Sequence, residues 1–136
     1  MIQYVVRYAP AAFLTLALAA GCSSGLNRPV TSMDAKLDAH GVQRVEIAMH
    51  SFYFEPSRIV VHANHPVELL FKNHSWLVPH NFTIVDPDAA VNRSLGPLGG
   101  HVERFTPTKA GEYEFFCHKD SHAKKGMKGT LVVLPE

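Results

Sequence analysis

The stretch that decides the reading is Phe115-Phe116-Cys117-His118-Lys119-Asp120-Ser121-His122-Ala123-Lys124-Lys125-Gly126-Met127-Lys128-Gly129-Thr130. The chain enters it with Tyr113, Phe115 and Cys117 alternating against Glu112, Glu114 and Phe116, the period-two pattern of a strand. It leaves with Leu131 and Val133 alternating against Thr130 and Val132, a second strand. Between the strands lies a polar loop in which Cys117, His122 and Met127 are spaced five apart. Such a loop can curl all three onto one centre. One soft thiolate, one imidazole and one thioether form a copper-selecting set. A further imidazole must come from elsewhere. His80, in Pro79-His80-Asn81-Phe82, is the candidate, at the start of a strand and after a long loop.

Working outward, the same period recurs. Val45, Ile47 and Met49 alternate with Arg44, Glu46 and Ala48, and Val67, Leu69 and Phe71 with Glu68, Leu70 and Lys72. Ile59-Val60-Val61 and Phe82-Thr83-Ile84-Val85 are short β-branched runs, and His101 to Phe105 is a weaker strand. Breakers separate them: Glu55-Pro56-Ser57, Asn64-His65-Pro66, Asp86-Pro87-Asp88, Gly96-Pro97 and Ala110-Gly111. About seven to eight short strands at regular spacing predict an all-β sandwich. Residues 86–100 read as a long irregular stretch that covers a site.

The 136 residues make one domain by size. With 46% hydrophobic and 18% charged residues the chain is globular rather than disordered. A formal charge of +1 argues against a nucleic-acid binder, a class that is strongly basic. Two cysteines are too few for a disulfide scaffold or a four-cysteine zinc site.

Residues 1–21 read as a secretory signal: Arg7 as the only charge, a short apolar run from Ala11 to Ala20, then small residues. The run is too short to span a bilayer, which takes about 20 apolar residues. Leu18-Ala19-Ala20-Gly21-Cys22 resembles the bacterial lipobox, which implies a lipidated Cys22, a membrane anchorage that does not span, and a periplasmic location; a plain secreted protein is the alternative. Residues 22–41 read as a flexible tether, reaching roughly 25 Å, with a short helix over Met33–Ala39 as an option. The domain proper is expected over 42–136. With Cys22 lipidated, Cys117 is the one thiol left, so it is inert, reactive or a metal ligand.

The 115–130 segment resembles the ligand loop of the blue-copper proteins, the cupredoxins. In that family one strand supplies a His and the loop between the last two strands supplies Cys, His and an axial Met. The resemblance covers about residues 42–136 and includes Asn81 after the first His, Phe52-Tyr53-Phe54-Glu55-Pro56, and Gly126-Met127-Lys128-Gly129-Thr130-Leu131. It implies a Greek-key β-sandwich or barrel and one type 1 copper per chain, with His80 and His122 as imidazoles, Cys117 as thiolate and Met127 as weak axial ligand. Four residues separate Cys from His, as in the azurin type, and four separate His from Met, as in the plastocyanin type. Asn81, Phe82 and Phe116 are expected to surround the ligands, and His122 to serve as the electron port. His74, His101 and His118 read as surface residues.

Other chemistries fit less well. Multicopper oxidases resemble Cys117-His118…His122 in spacing, but Phe116 stands where they carry His, and no paired His-x-His motif lies upstream. A dinuclear copper centre needs two loop cysteines. Zinc on Cys and two His is possible, yet Cu(II) outranks zinc in affinity. No nucleophile-base dyad, carboxylate pair or phosphate loop is visible, so no enzyme is expected. Two functions remain: a periplasmic single-electron carrier, or a copper-binding protein for tolerance or delivery. Lys119, Lys124, Lys125 and Lys128 around the loop suit an acidic redox partner meeting a monomer.

Overall fold

The computed structural model describes residues 28–86 and 90–136. Among the described residues ten strands form two sheets: β1 Ser32–Asp34, β2 Gln43–His50, β3 Tyr53–Glu55, β4 Arg58–His62, β5 Val67–Asn73, β6 His80–Ile84, β7 Val91–Leu95, β8 Gly100–Phe105, β9 Gly111–Phe116 and β10 Lys128–Leu134. The larger sheet runs β1-β4-β10-β9-β6-β7 and the smaller β3-β2-β5-β8. The expected all-β sandwich is therefore present. Among the described residues no helix is long and apolar enough to cross a membrane.

The period-two residues supply the core. Val45, Ile47 and Met49 from β2, Val67, Leu69 and Phe71 from β5, and Phe115 and Leu131 from β9 and β10 are all essentially inaccessible. Phe82 stacks on Phe115 at 4.7 Å between centroids, and Phe54 meets both edge-on at 5.6 and 5.4 Å. The fully buried Gln43 spends its amide on the His62 backbone, accepting from its N–H at 2.6 Å and donating to its carbonyl at 3.0 Å.

Three strands lie beyond the sequence reading. β7 occupies part of the 86–100 stretch read as irregular; its middle residues are polar because it is the sheet's edge, and Arg93 pairs there with Glu103 at 2.7 Å. β3 is only three residues long. β1 shortens the tether expected over 22–41: Ser32–Asp34 pair in parallel with Arg58–Val60, and Ala35 is buried. No helix forms over Met33–Ala39, where Met33 and Asp34 are strand and Leu37 bridges Gln43. The signal reading of 1–21 and the lipid reading of Cys22 lie outside the described residues.

Candidate metal centre

Three strand ends meet at one end of the sandwich. His80 is the first residue of β6, Cys117 follows the last residue of β9, and Met127 precedes the first of β10. β9 and β10 are antiparallel neighbours with Lys128 opposite Phe116, so the 117–127 loop is a closed connection. Its base is tied by Cys117 N–H to Met127 O at 3.0 Å. Inside it, Met127 N–H donates to His122 O at 3.0 Å and His122 N–H to Lys119 O at 3.0 Å. Gly126 adopts φ 99°, a left-handed turn that favours glycine and returns the chain to Met127.

This packing brings the sequence-predicted donors together. His80, Cys117 and Met127 are fully buried and His122 is 6% exposed. Ligand atoms of His80, Cys117 and His122 lie within 4.8 Å of one another, the only such group of three among the described residues. The atoms that face each other are the two Nδ1 nitrogens, 3.3 Å apart, and the Cys117 Sγ, 3.4 Å from His122 Nδ1. Burial, with the neighbouring imidazole of His122 next, lowers the His80 pKa to about 4. The His122 pKa is lowered too, first by burial and then by Lys125 and Lys119, against an opposing effect of Asp120. Both rings are thus held neutral, the form that ligates a metal.

The surrounding residues fix these orientations. Ser75 Oγ lies 2.9 Å from His80 Nε2, so a proton on Nε2 donated to Ser75 leaves the Nδ1 lone pair toward the centre. Asn81 N–H donates to Cys117 Sγ at 3.3 Å, stabilising thiolate charge. The Asn81 side chain accepts from His118 N–H at 2.7 Å, so one residue braces both the ligand strand and the Cys loop. Asn73 holds the β5–β6 connection by donating to Val78 O at 3.0 Å and Gly96 O at 2.9 Å. Phe52, at φ 70°, lays its ring against His122 at 4.9 Å.

Some expectations for these neighbours change. Phe82 lies in the core stack, within the same buried cluster as Cys117 and Met127, in keeping with the expectation. Phe116 points to the face of β9 opposite Phe115 and Cys117 and is only half-buried, because a strand alternates sides. His118 is exposed, as expected, but its Nδ1 lies 2.8 Å from Asn81 Nδ2 and 3.0 Å from Thr83 Oγ1. Ser75 and Phe52 were not legible as site residues: their side chains reach the centre from loops that no periodicity describes, while Asn73 ends β5 and acts only through the connection it holds. Lys124, Lys125 and Lys128 are exposed around the loop, and the Lys125 ammonium sits 4.1 Å over the Phe52 ring.

Two imidazoles and a thiolate in one buried cluster, with a thioether residue closing the loop, fit copper: the thiolate and thioether suit Cu(I) and the imidazoles suit Cu(II). A family model described as a cupredoxin-like domain matches residues 11–133. Dithionite-reduced auracyanin from Roseiflexus castenholzii is 27% identical with a TM-score of 0.61, over 68% of this chain and 97% of that one. Auracyanin A, a "blue" copper protein from Chloroflexus aurantiacus, is 23% identical with a TM-score of 0.60, over 69% and 100%. The metal-binding domain of the Streptococcus pneumoniae Cu(I)-exporting P-type ATPase, solved with Cu(I), is 22% identical with a TM-score of 0.64, over 79% and 99%. No curated protein sequence matches the chain.

Proposed function

The chain belongs to the cupredoxin-like family, and on that premise we propose that it is a copper protein that passes single electrons between redox partners. One type 1 copper would be held by His80, Cys117 and His122, with Met127 as axial ligand. The observation that carries this reading is the buried convergence of one ligand atom each from His80, Cys117 and His122 within 4.8 Å.

Bound copper would supply the one-electron couple. The protein's part is to keep the ligands in place in both oxidation states, so that little has to move. Ser75 engages His80 Nε2 and leaves Nδ1 facing the centre, Asn81 N–H donates to the sulfur, and the loop bonds tie His122 to Met127 and Met127 to the Cys117 backbone. Phe52 and the core phenylalanines exclude water. His122, the more exposed imidazole, is the proposed electron port, and the lysines around it would steer an acidic partner. The signal-like residues 1–21 and the lipobox-like Leu18-Ala19-Ala20-Gly21-Cys22 support the proposal of a periplasmic, lipid-anchored location.

A second reading, copper tolerance or delivery, is favoured by one observation: His50 and His74 set a further imidazole pair at the same end of the sandwich. The test is Cu(II) loading followed by visible and EPR spectra and a reductive titration. The expected result is one intense thiolate-to-copper band, lost in Cys117→Ser, that bleaches and returns with one electron per chain. Copper that binds and passes to an acceptor protein without that band would favour delivery. No thiolate band under any loading condition would overturn the ligand assignment.

A further inference from the structure

His50 ends β2, and His74 directly follows β5, its parallel neighbour, whose register sets Met49 opposite Asn73. His74 N–H donates to Met49 O at 2.8 Å, extending the pairing one step. That step sets the two imidazoles side by side, with centroids 5.1 Å apart and planes inclined by 33°. His50 also stacks on Tyr53, at 4.5 Å and 9°. Its Nε2 lies 3.7 Å from Glu55 Oε2, and the Arg28 guanidinium covers the Tyr53 ring at 3.7 Å. His74 is exposed and His50 half-buried, so the pair opens to solvent.

We propose that His50 and His74 form a second, solvent-open site for Cu(II), with both imidazoles on one ion and the Glu55 carboxylate balancing its charge. Two nitrogens each about 2.0 Å from an ion stand about 3–4 Å apart. Imidazoles at the observed spacing reach that with a rotation of the exposed His74 ring. Imidazole and carboxylate are borderline and hard donors that suit Cu(II). Burial first, then His74 and Arg28, lower the His50 pKa, and Glu55 opposes them.

The position gives the site a use. Ser75, next to His74 in sequence, bonds His80, and a charge on His50 is felt at His80. Two protein nitrogens leave the remaining positions to water, so the ion exchanges readily. The buried centre offers no such opening. The pair thus serves to capture copper ions outside the centre, a role that rests on the proposed reading of that centre as a copper site. His101 and His118 do not join it: His101 Nε2 lies 3.5 Å from Glu103, and His118 is engaged by Asn81 and Thr83.

The test uses the purified full chain and Cu(II) alone. Beyond one equivalent, EPR is expected to show a second, non-thiolate signal with coupling to two nitrogens. Its affinity should fall by about tenfold or more in His50→Ala and in His74→Ala, while the Cys117 band persists in both. In Cys117→Ser, Zn(II) should shift the ring resonances of His50 and His74 together in NMR spectra. Survival of the second signal in the double variant, or its absence at several equivalents, overturns the site. Loss of the Cys117 band with retention of the imidazole signal would instead refute the function proposed for the centre and leave the pair standing.

Discussion

Asn81 concentrates more of the site's order than any ligand does. It is fully buried, its N–H meets Cys117 Sγ at 3.3 Å, and its Oδ1 accepts from His118 N–H at 2.7 Å. Its Nδ2 donates to Thr83 Oγ1 at 2.5 Å and approaches His118 Nδ1 at 2.8 Å. Replacement by Ala keeps the backbone bond to sulfur but removes the buried amide's bond to Thr83 and leaves the part-buried His118 N–H without its acceptor. Asn81→Ala is expected to cost about 2–3 kcal/mol, read by chemical denaturation of the copper-free protein. It should also shift and broaden the thiolate band, because the Cys117–His118 backbone is no longer braced. Unchanged stability and an unchanged band would show that Asn81 only fills space.

At the scale of elements, the β9–β10 hairpin decides the geometry of the loop. Gly129 lies opposite Phe115 in the register, and a Cβ there would collide with the Ser57 carbonyl oxygen and the Phe115 ring. The first is backbone of the β3–β4 connection and the second is core, so neither gives way easily. Gly129→Ala is expected to destabilise by about 3 kcal/mol or more, and to lower Tm measurably. The loss should appear equally in a Cys117→Ser background, since the collision is in the hairpin and not at the metal. A stable Gly129→Ala protein would mean that β4 and β10 slide apart without cost. The register could be anticipated from alternation, but this close approach could not, because it involves a third segment.

For the whole molecule, the sandwich keeps a neutral His80 inside. An unfolded histidine takes up a proton near pH 6.5, whereas folded His80 does so only at about 4. The unfolded chain therefore binds more protons in that interval. The contribution of neutral His80 is complete above pH 6.5 and is lost as pH falls toward 4, up to about 3 kcal/mol for this group. His122 and His50 are shifted in the same direction and steepen the loss. Denaturant midpoints of the copper-free protein at pH 7, 5.5 and 4 should fall in that order, and His80→Gln should flatten the dependence. A flat profile in the unsubstituted protein would contradict the burial of a neutral ring.

The sequence by itself determined the all-β class, the strands of the core and the four candidate ligands. Period-two alternation is a local property, and Cys117, His122 and Met127 sit on one short loop whose ends are strands. His80 was legible because it opens a strand. What the tertiary structure decided is everything that depends on which strand lies beside which. β1 and β7 are strands because β4 and β6 offer them edges, not because their own residues alternate. Ser75 and Phe52 reach the centre, and His50 meets His74, because the folded sandwich gathers loops and strand ends from distant parts of the chain at one end. Such proximity is set by packing of the two sheets, and no local pattern encodes it.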